Sequence, residues 1–228
     1  MRVRQNGLSL LETMVSMSIL AFVMGAVFLA FTESSRTFQH SLLRQGLQGD
    51  AAKMESLVGR DVRISDFYTR AIIDRSFTTS DGRVVERDGF SVAALSDWDE
   101  PTNFDSVTGL PLWNQYVVYY ATNDEDSGRL VRQLVDGAGS TGGAPYLGLA
   151  TNMSNDPSLN GNVLTSTLVS SQVDEFRVDA DDGTHALEIR LKLRRRDGRR
   201  RSGGEEKVDE TLEVRFSPSA LNTFPKLY

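Results

Sequence analysis

The chain has 228 residues, 39% hydrophobic and 25% charged, which suits one medium-sized packed domain plus an extended element and excludes disorder by composition. A formal charge of −6 argues against a protein built to coat nucleic acid. With no cysteine, disulfides, thiolate catalysis and cysteine-based zinc sites are excluded, and the only two histidines, His40 and His185, stand far apart in sequence.

Arg2 and Arg4 open the chain, and Thr13–Phe31 then carries no charge. At helical rise that run spans about 28 Å, close to the hydrocarbon thickness of a bilayer. The next basic residue is Arg36, so the positive-inside tendency places the N-terminus in the cytoplasm. A cleaved secretory signal fits less well, because the apolar run is too long and no A-x-A-like site follows it. An ordinary anchor helix leaves Glu12 unexplained. A carboxylate at mid-bilayer depth costs about 2.5–3.5 kcal/mol and normally has a partner and a purpose.

The stretch Gly7-Leu8-Ser9-Leu10-Leu11-Glu12, after a short basic leader and before a long apolar run, resembles the processing signal of type IV prepilins and type II secretion pseudopilins. The resemblance implies that prepilin peptidase cuts between Gly7 and Leu8 and methylates the new Leu8 amine. It also gives Glu12 the place of the family's glutamate. A cationic amine on Leu8 and a neighbouring subunit's Glu12 would lower each other's desolvation cost in apolar surroundings. Two departures stand out: Leu8 occupies the position where phenylalanine is common, and no proline interrupts the run before Pro101. Gly25 is its one weak point.

The helical pattern continues beyond the apolar run. From Thr32 to about Ile64 there is no proline, and Phe38, Leu42, Leu43, Leu47, Met54, Leu57, Val58 and Val62 recur mostly at spacings of three to five. One helix from Leu8 to Val62 would be roughly 80 Å long. Its first half has no intramolecular partner, which argues for assembly. After Ile64 the pattern changes to alternation and turns. Short strands are predicted over 71–78, 83–85 and 90–95, with Asp81-Gly82 as a turn. Tyr116–Ala121 reads as a strong strand, leading to another over 129–135, and 136–162 reads as an exposed Gly/Ser/Asn-rich loop. The clearest hairpin is late: Leu187, Ile189, Leu191 and Leu193 share one face, opposite Val208, Leu212, Val214 and Phe216, with facing charges of opposite sign.

The expected fold is therefore α+β, a long N-terminal helix packed on an antiparallel sheet. Its divisions are a leader (1–7), a transmembrane segment (8–31), an amphipathic segment (32–64) and a β-rich head (65–228). The layout resembles minor pilins and J-class pseudopilins, through paired Tyr119-Tyr120, then Leu130-Val131-Arg132 and late paired strands. The resemblance implies a structural, non-enzymatic, cofactor-free subunit of a type II secretion pseudopilus or type IV pilus. It would sit singly across the inner membrane, N-terminus cytoplasmic and head periplasmic, or extracellular after assembly. Its partners would be other pilins or pseudopilins, prepilin peptidase, the inner-membrane assembly platform and the lipid bilayer. The alternative is a filament-tip binding protein, an adhesin or DNA-uptake receptor.

Candidate chemistry is sparse. Arg194, Arg195, Arg196, Arg199, Arg200 and Arg201 suggest a hairpin tip able to hold phosphates, although Glu205 and Glu206 balance it and the head is acidic, so nucleic acid is not an expected partner. Asp124-Glu125-Asp126 and Asp179-Asp181-Asp182 contain calcium-type ligands, but neither has EF-hand spacing, Arg190 standing at the twelfth position from Asp179. No metal site is expected. Asp61 and Asp66 are carboxylates that nothing in the sequence groups into an acid–base pair.

Overall fold

The computed structural model describes residues 10–124, 127–139, 141–197 and 208–222. The chain divides into two compact units, residues 1–43 and 44–228. Helix α1 (Leu10–Arg63) begins in the first and ends in the second. Leucine, methionine and alanine dominate its apolar part, no proline interrupts it, and Gly25 is accommodated without a break.

In the second unit α1 buries Leu47, Ala51, Met54, Val58 and Val62, a stripe at helical spacing. Phe38 and Leu42, which the sequence pattern joins to this stripe, are exposed instead. The end of α1 is well capped. The Ser65 hydroxyl donates to the Val62 carbonyl (2.7 Å), and the backbone amide of Leu221 and the side chain of Asn222 donate to the carbonyls of Arg63 and Ile64 (3.1 and 2.8 Å).

The strands are β1 (Ala71–Ile73), β2 (Ser76–Thr78), β3 (Val84–Glu86), β4 (Gly89–Ala94), β5 (Gln115–Ala121), β6 (Gly128–Asp136), β7 (Val163–Asp181), β8 (Ala186–Asp197) and β9 (Val208–Phe216). Seven form one antiparallel sheet in the order β1-β4-β5-β6-β7-β8-β9, while β2 and β3 make a separate hairpin. Gly82 sits at the tip of that hairpin with φ of 80°, a conformation that favours glycine.

β7 changes neighbours along its length: residues 163–173 pair with β6, and 173–181 with β8. The edge of β7 that β6 leaves open meets the corner between β3 and β4, where Asp88 donates its amide to the Phe176 carbonyl (2.9 Å). The sheet thereby curls, and Phe90, Tyr119 and Phe176 turn inward to join the α1 stripe in one core. Phe90 and Tyr119 stack at 5.1 Å.

A second core lies on the other face of β5 and β6. β5 is buried on both sides, with Val117, Tyr119 and Ala121 toward α1 and Tyr116, Val118 and Tyr120 away from it. The stretch 137–162, expected as an exposed loop, covers that second face. Leu149 and Met153 are buried in it, and Asn160 donates to Tyr120 Oη (3.0 Å) and Gln133 Oε1 (2.8 Å). Only a cover of this kind satisfies a strand with large side chains on both faces. The expected late hairpin is present, with Leu193 opposite Leu212, Leu191 opposite Val214 and Ile189 opposite Phe216.

Candidate functional site

The described residues of the first unit form a helix whose large apolar side chains are exposed. Leu10, Leu11, Phe22, Phe28 and Phe31 are all exposed, and the helix is long and apolar enough to cross a membrane. Three of its hydroxyls bond within the helix: Thr13 donates to the Leu10 carbonyl (2.8 Å), Ser18 to that of Met14 (2.9 Å) and Thr32 to that of Leu29 (2.9 Å). Such bonds suit a hydrocarbon environment, which offers no water to orphan donors. Glu12 lies in the first turn of α1, where the helix dipole favours a negative charge. Gly7 and Leu8, the expected processing residues, lie outside the described residues.

Residues 2–28 match the prokaryotic N-terminal methylation motif. The chain thus carries a type IV pilin-like prepilin signal. The methylation motif takes in the basic leader, the glycine, Glu12 and most of the apolar run, and it ends before the head. No curated protein and no solved structure matches the chain. The methylation motif indicates a structural subunit that prepilin peptidase processes and that assembles with other pilins, and among the described residues one helix, α1, is long and apolar enough to anchor it in a membrane.

The arginine run lies differently from the expected hairpin tip. Arg194, Arg195 and Arg196 belong to β8 and stand opposite Thr211, Glu210 and Asp209 of β9. Alternation sends Arg194 and Arg195 to opposite faces. Arg194 binds the Asp209 carboxylate through Nε (2.8 and 3.0 Å) and Nη2, and this pairing holds its guanidinium pKa above the usual value. Arg195 reaches α1: a Cβ added at Gly46 would stand 3.0 Å from its Nη1. Arg199, Arg200 and Arg201 lie outside the described residues. Within those described, the run therefore includes one paired strand arginine and one laid against the helix, rather than a set converging on one ligand.

The acidic clusters do turn and pairing work. Asp124 accepts from Thr122 (2.6 Å) and Arg129 (2.9 Å), while Glu125 and Asp126 lie outside the described residues. Asp179 pairs with Arg177 (2.8 Å), Asp181 accepts from the Gly183 amide (2.8 Å) and the Thr184 hydroxyl (2.6 Å), and Asp182 pairs with Arg70. Among the described residues no group of three or more histidine, aspartate or glutamate side chains is arranged to hold a metal. His40 is exposed on α1; His185 packs at a tilt against Phe67 (5.3 Å between ring centroids) with its Nε2 3.4 Å from Tyr68 Oη.

Asp61 and Asp66 part company. Asp66 caps a short 3₁₀ turn by accepting from the Tyr68 amide (3.0 Å). Asp61 is buried between α1 and the sheet. It accepts from Tyr119 Oη (2.7 Å), Arg132 Nε (2.7 Å) and Arg60 Nε (3.1 Å). Burial, and then the adjacent carboxylate, push the Tyr119 phenol well above its ordinary pKa. Burial alone would lower the pKa of Arg132, but Asp61 outweighs it and the guanidinium ends higher. This clamp joins α1 to β5 and β6. Its sequence signal was a lone aspartate inside an otherwise apolar stripe, three residues after Val58 and one before Val62.

Proposed function

We propose that this chain is a minor subunit of a pilin-like filament, a type II secretion pseudopilus or type IV pilus. It is cut between Gly7 and Leu8 and methylated on the Leu8 amine. In this reading 1–7 is the cytoplasmic leader, 8–31 lies in the inner membrane and then in the filament core, and the head is periplasmic. The observation that carries it is the first part of α1, whose large apolar side chains are exposed among the described residues, in the stretch that bears the signal. Such a helix is stable in lipid and, once extracted, against the same helix of neighbouring subunits.

Glu12 supplies the step between the two environments. Cleavage creates a cationic amine at Leu8, and a neighbour's Glu12 neutralises it as both leave the headgroup region. Two charges that are each costly to bury become one hydrogen-bonded pair.

Intact-mass measurement of protein extracted from its native host tests the reading. The expected mass lacks Met1–Gly7 and carries one added methyl group, and removal of Arg2 and Arg4 takes the formal charge from −6 to −8. Gly7→Glu should leave the leader attached throughout the population, since the peptidase accepts only a small residue before the cut. Wild-type protein that retains residues 1–7 overturns the proposal.

A further inference from the structure

β7, β8 and β9 turn Phe176, Val178, Ile189 and Leu191 toward the α1 core. Alternation puts their charged residues on the opposite face, where they stand in rows that cross the strands. Glu175, Lys192 and Glu213 form one row, Arg177, Arg190 and Arg215 the next, and Asp179 and Glu188 the third. Like charges directly opposite one another weaken a sheet, so three facing arginines are an arrangement that sheet stability does not favour.

Ion pairs along and between strands offset part of the repulsion: Arg177 with Asp179 (2.8 Å), Arg190 with Glu213 (3.0 Å) and Arg215 with the same Glu213 (2.8 Å). These exposed pairs contribute little each. They also leave donors over. Nη1 and Nη2 of Arg190, Nη1 of Arg215 and Oγ of Ser217 make no hydrogen bond within the described chain. All three residues line a depression of about 390 Å³, which Arg177, Ile189 and Phe216 help to form. Its walls carry three guanidiniums and the carboxylates of Asp179 and Glu188, and Glu213, Glu86 (3.3 Å from Arg177) and Glu175 (3.8 Å from Arg190) pair with the same guanidiniums, so what the depression offers an anion is these unused donors rather than a net positive charge.

We propose that this depression binds a ligand presenting two or more phosphate groups in a row. Neighbouring strands are about 4.8 Å apart, so the three guanidiniums span roughly 10 Å. A planar guanidinium fork matches phosphate oxygens in pairs. The acidic residues flanking the arginine row select a narrow, linear anion, because a broader one would meet Asp179 and Glu188 on one side and Glu175 and Glu213 on the other. The shared chemistry is a phosphate row, whose source is a free polyphosphate or a stretch of nucleic-acid backbone. The site involves no residue of the first unit and is independent of the assembly role proposed above.

The test is calorimetric titration of the full chain in zwitterionic-lipid nanodiscs, with inorganic tripolyphosphate and, separately, with a single-stranded oligonucleotide. Saturable binding of either probe at a single site is expected. Arg190→Gln or Arg215→Gln should weaken it about tenfold or more, since each removes charge-assisted hydrogen bonds. Ser217→Glu, which places a carboxylate at the rim without touching a strand pair, should abolish it. Arg36→Gln removes the same charge far along the sequence on α1 and should leave binding unchanged. An unaltered unfolding midpoint verifies that each variant is folded. Tripolyphosphate binding alone assigns a free polyphosphate; oligonucleotide binding alone, with a salt slope near −0.7 per phosphate contact, assigns a nucleic-acid backbone. No saturable binding of either probe overturns the proposal, as does an equal loss in Arg36→Gln.

Discussion

Between Leu10 and Phe31 the large apolar side chains of α1 are exposed, Phe22 by 80%, whereas between Arg44 and Arg63 Met54 and Val58 are fully buried. The backbone hydrogen bonding is the same helix throughout. The difference lies in the sequence pattern: apolar on all sides in the first stretch, a single stripe with Gln48, Lys53 and Arg60 elsewhere in the second. The stripe closes against its own sheet, and the all-round apolar surface stays exposed among the described residues. Each large side chain left in water forgoes about 1.5–3 kcal/mol of transfer free energy. The first stretch is therefore a helix that only an external apolar environment completes.

The sharpest way to break this comparison acts on Glu12, the charge in the first stretch. Glu12→Leu should insert into membranes at least as well as wild type, yet be absent from sheared filaments. Normal incorporation of the variant would sink the pairing with the Leu8 amine. In the second stretch the corresponding charge is Asp61, and it acts within the chain. Asp61→Ala leaves Arg132 and the Tyr119 hydroxyl buried without their acceptor, so the head should lose about 3–5 kcal/mol in denaturant unfolding.

A matched pair of truncations sharpens the contrast. Met54→Ala should destabilise the head by about 2–5 kcal/mol, whereas Leu20→Ala, in detergent, should leave the head's unfolding midpoint where it was. Equal effects would mean that the two stretches share one environment. The smallest effect expected is on pH dependence. Hydrogen bonds to Thr108, Ser158, Thr184 and Arg215 hold the carboxyls of Asp105, Asp156, Asp181 and Glu213 below their ordinary range. Carboxyls depressed in the folded state contribute stability above their unfolded values of about 4 and lose it as the pH falls through the folded ones. Asp88, raised by burial, works in the opposite sense. A shallow decline in the head's midpoint below about pH 4 is expected, measurable by thermal melts in low-salt buffers.

Legibility in the sequence followed pattern strength. The apolar run, the stripe from Leu47 to Val62 and the β8–β9 hairpin announce themselves because their side chains repeat at the period of the element. β7 does not: Val163–Asp181 exposes most of its first half, shifts register against β6 and exchanges that neighbour for β8, so no alternation runs through it. The 137–162 stretch is polar and glycine-rich like an exposed loop, and its burial rests on Leu149 and Met153 against a face of β5 whose need for a cover was already visible in Tyr116, Val118 and Tyr120. The arginines of the β7–β9 face are scattered in sequence, and only strand register brings them into one row. Arg194 and Arg195 were conspicuous as part of a run but separate onto two faces, because adjacent positions in a strand never point the same way.

The cap on α1 bears on the order in which this protein is made. Arg63 and Ile64 leave the ribosome early, yet donors to their carbonyls come from Leu221 and Asn222, the latter 158 positions later. Ala220 likewise donates to His185, tying the same late segment to the turn that opens β8. Contacts of such long range form late and slowly. The part of α1 that belongs to the head thus emerges first and is finished last, and until Leu221 and Asn222 arrive the Arg63 and Ile64 carbonyls have only water to accept from. A truncated chain ending before Leu221 would leave those two carbonyls open, and the last turn of α1 would be the first part of the head to unfold locally.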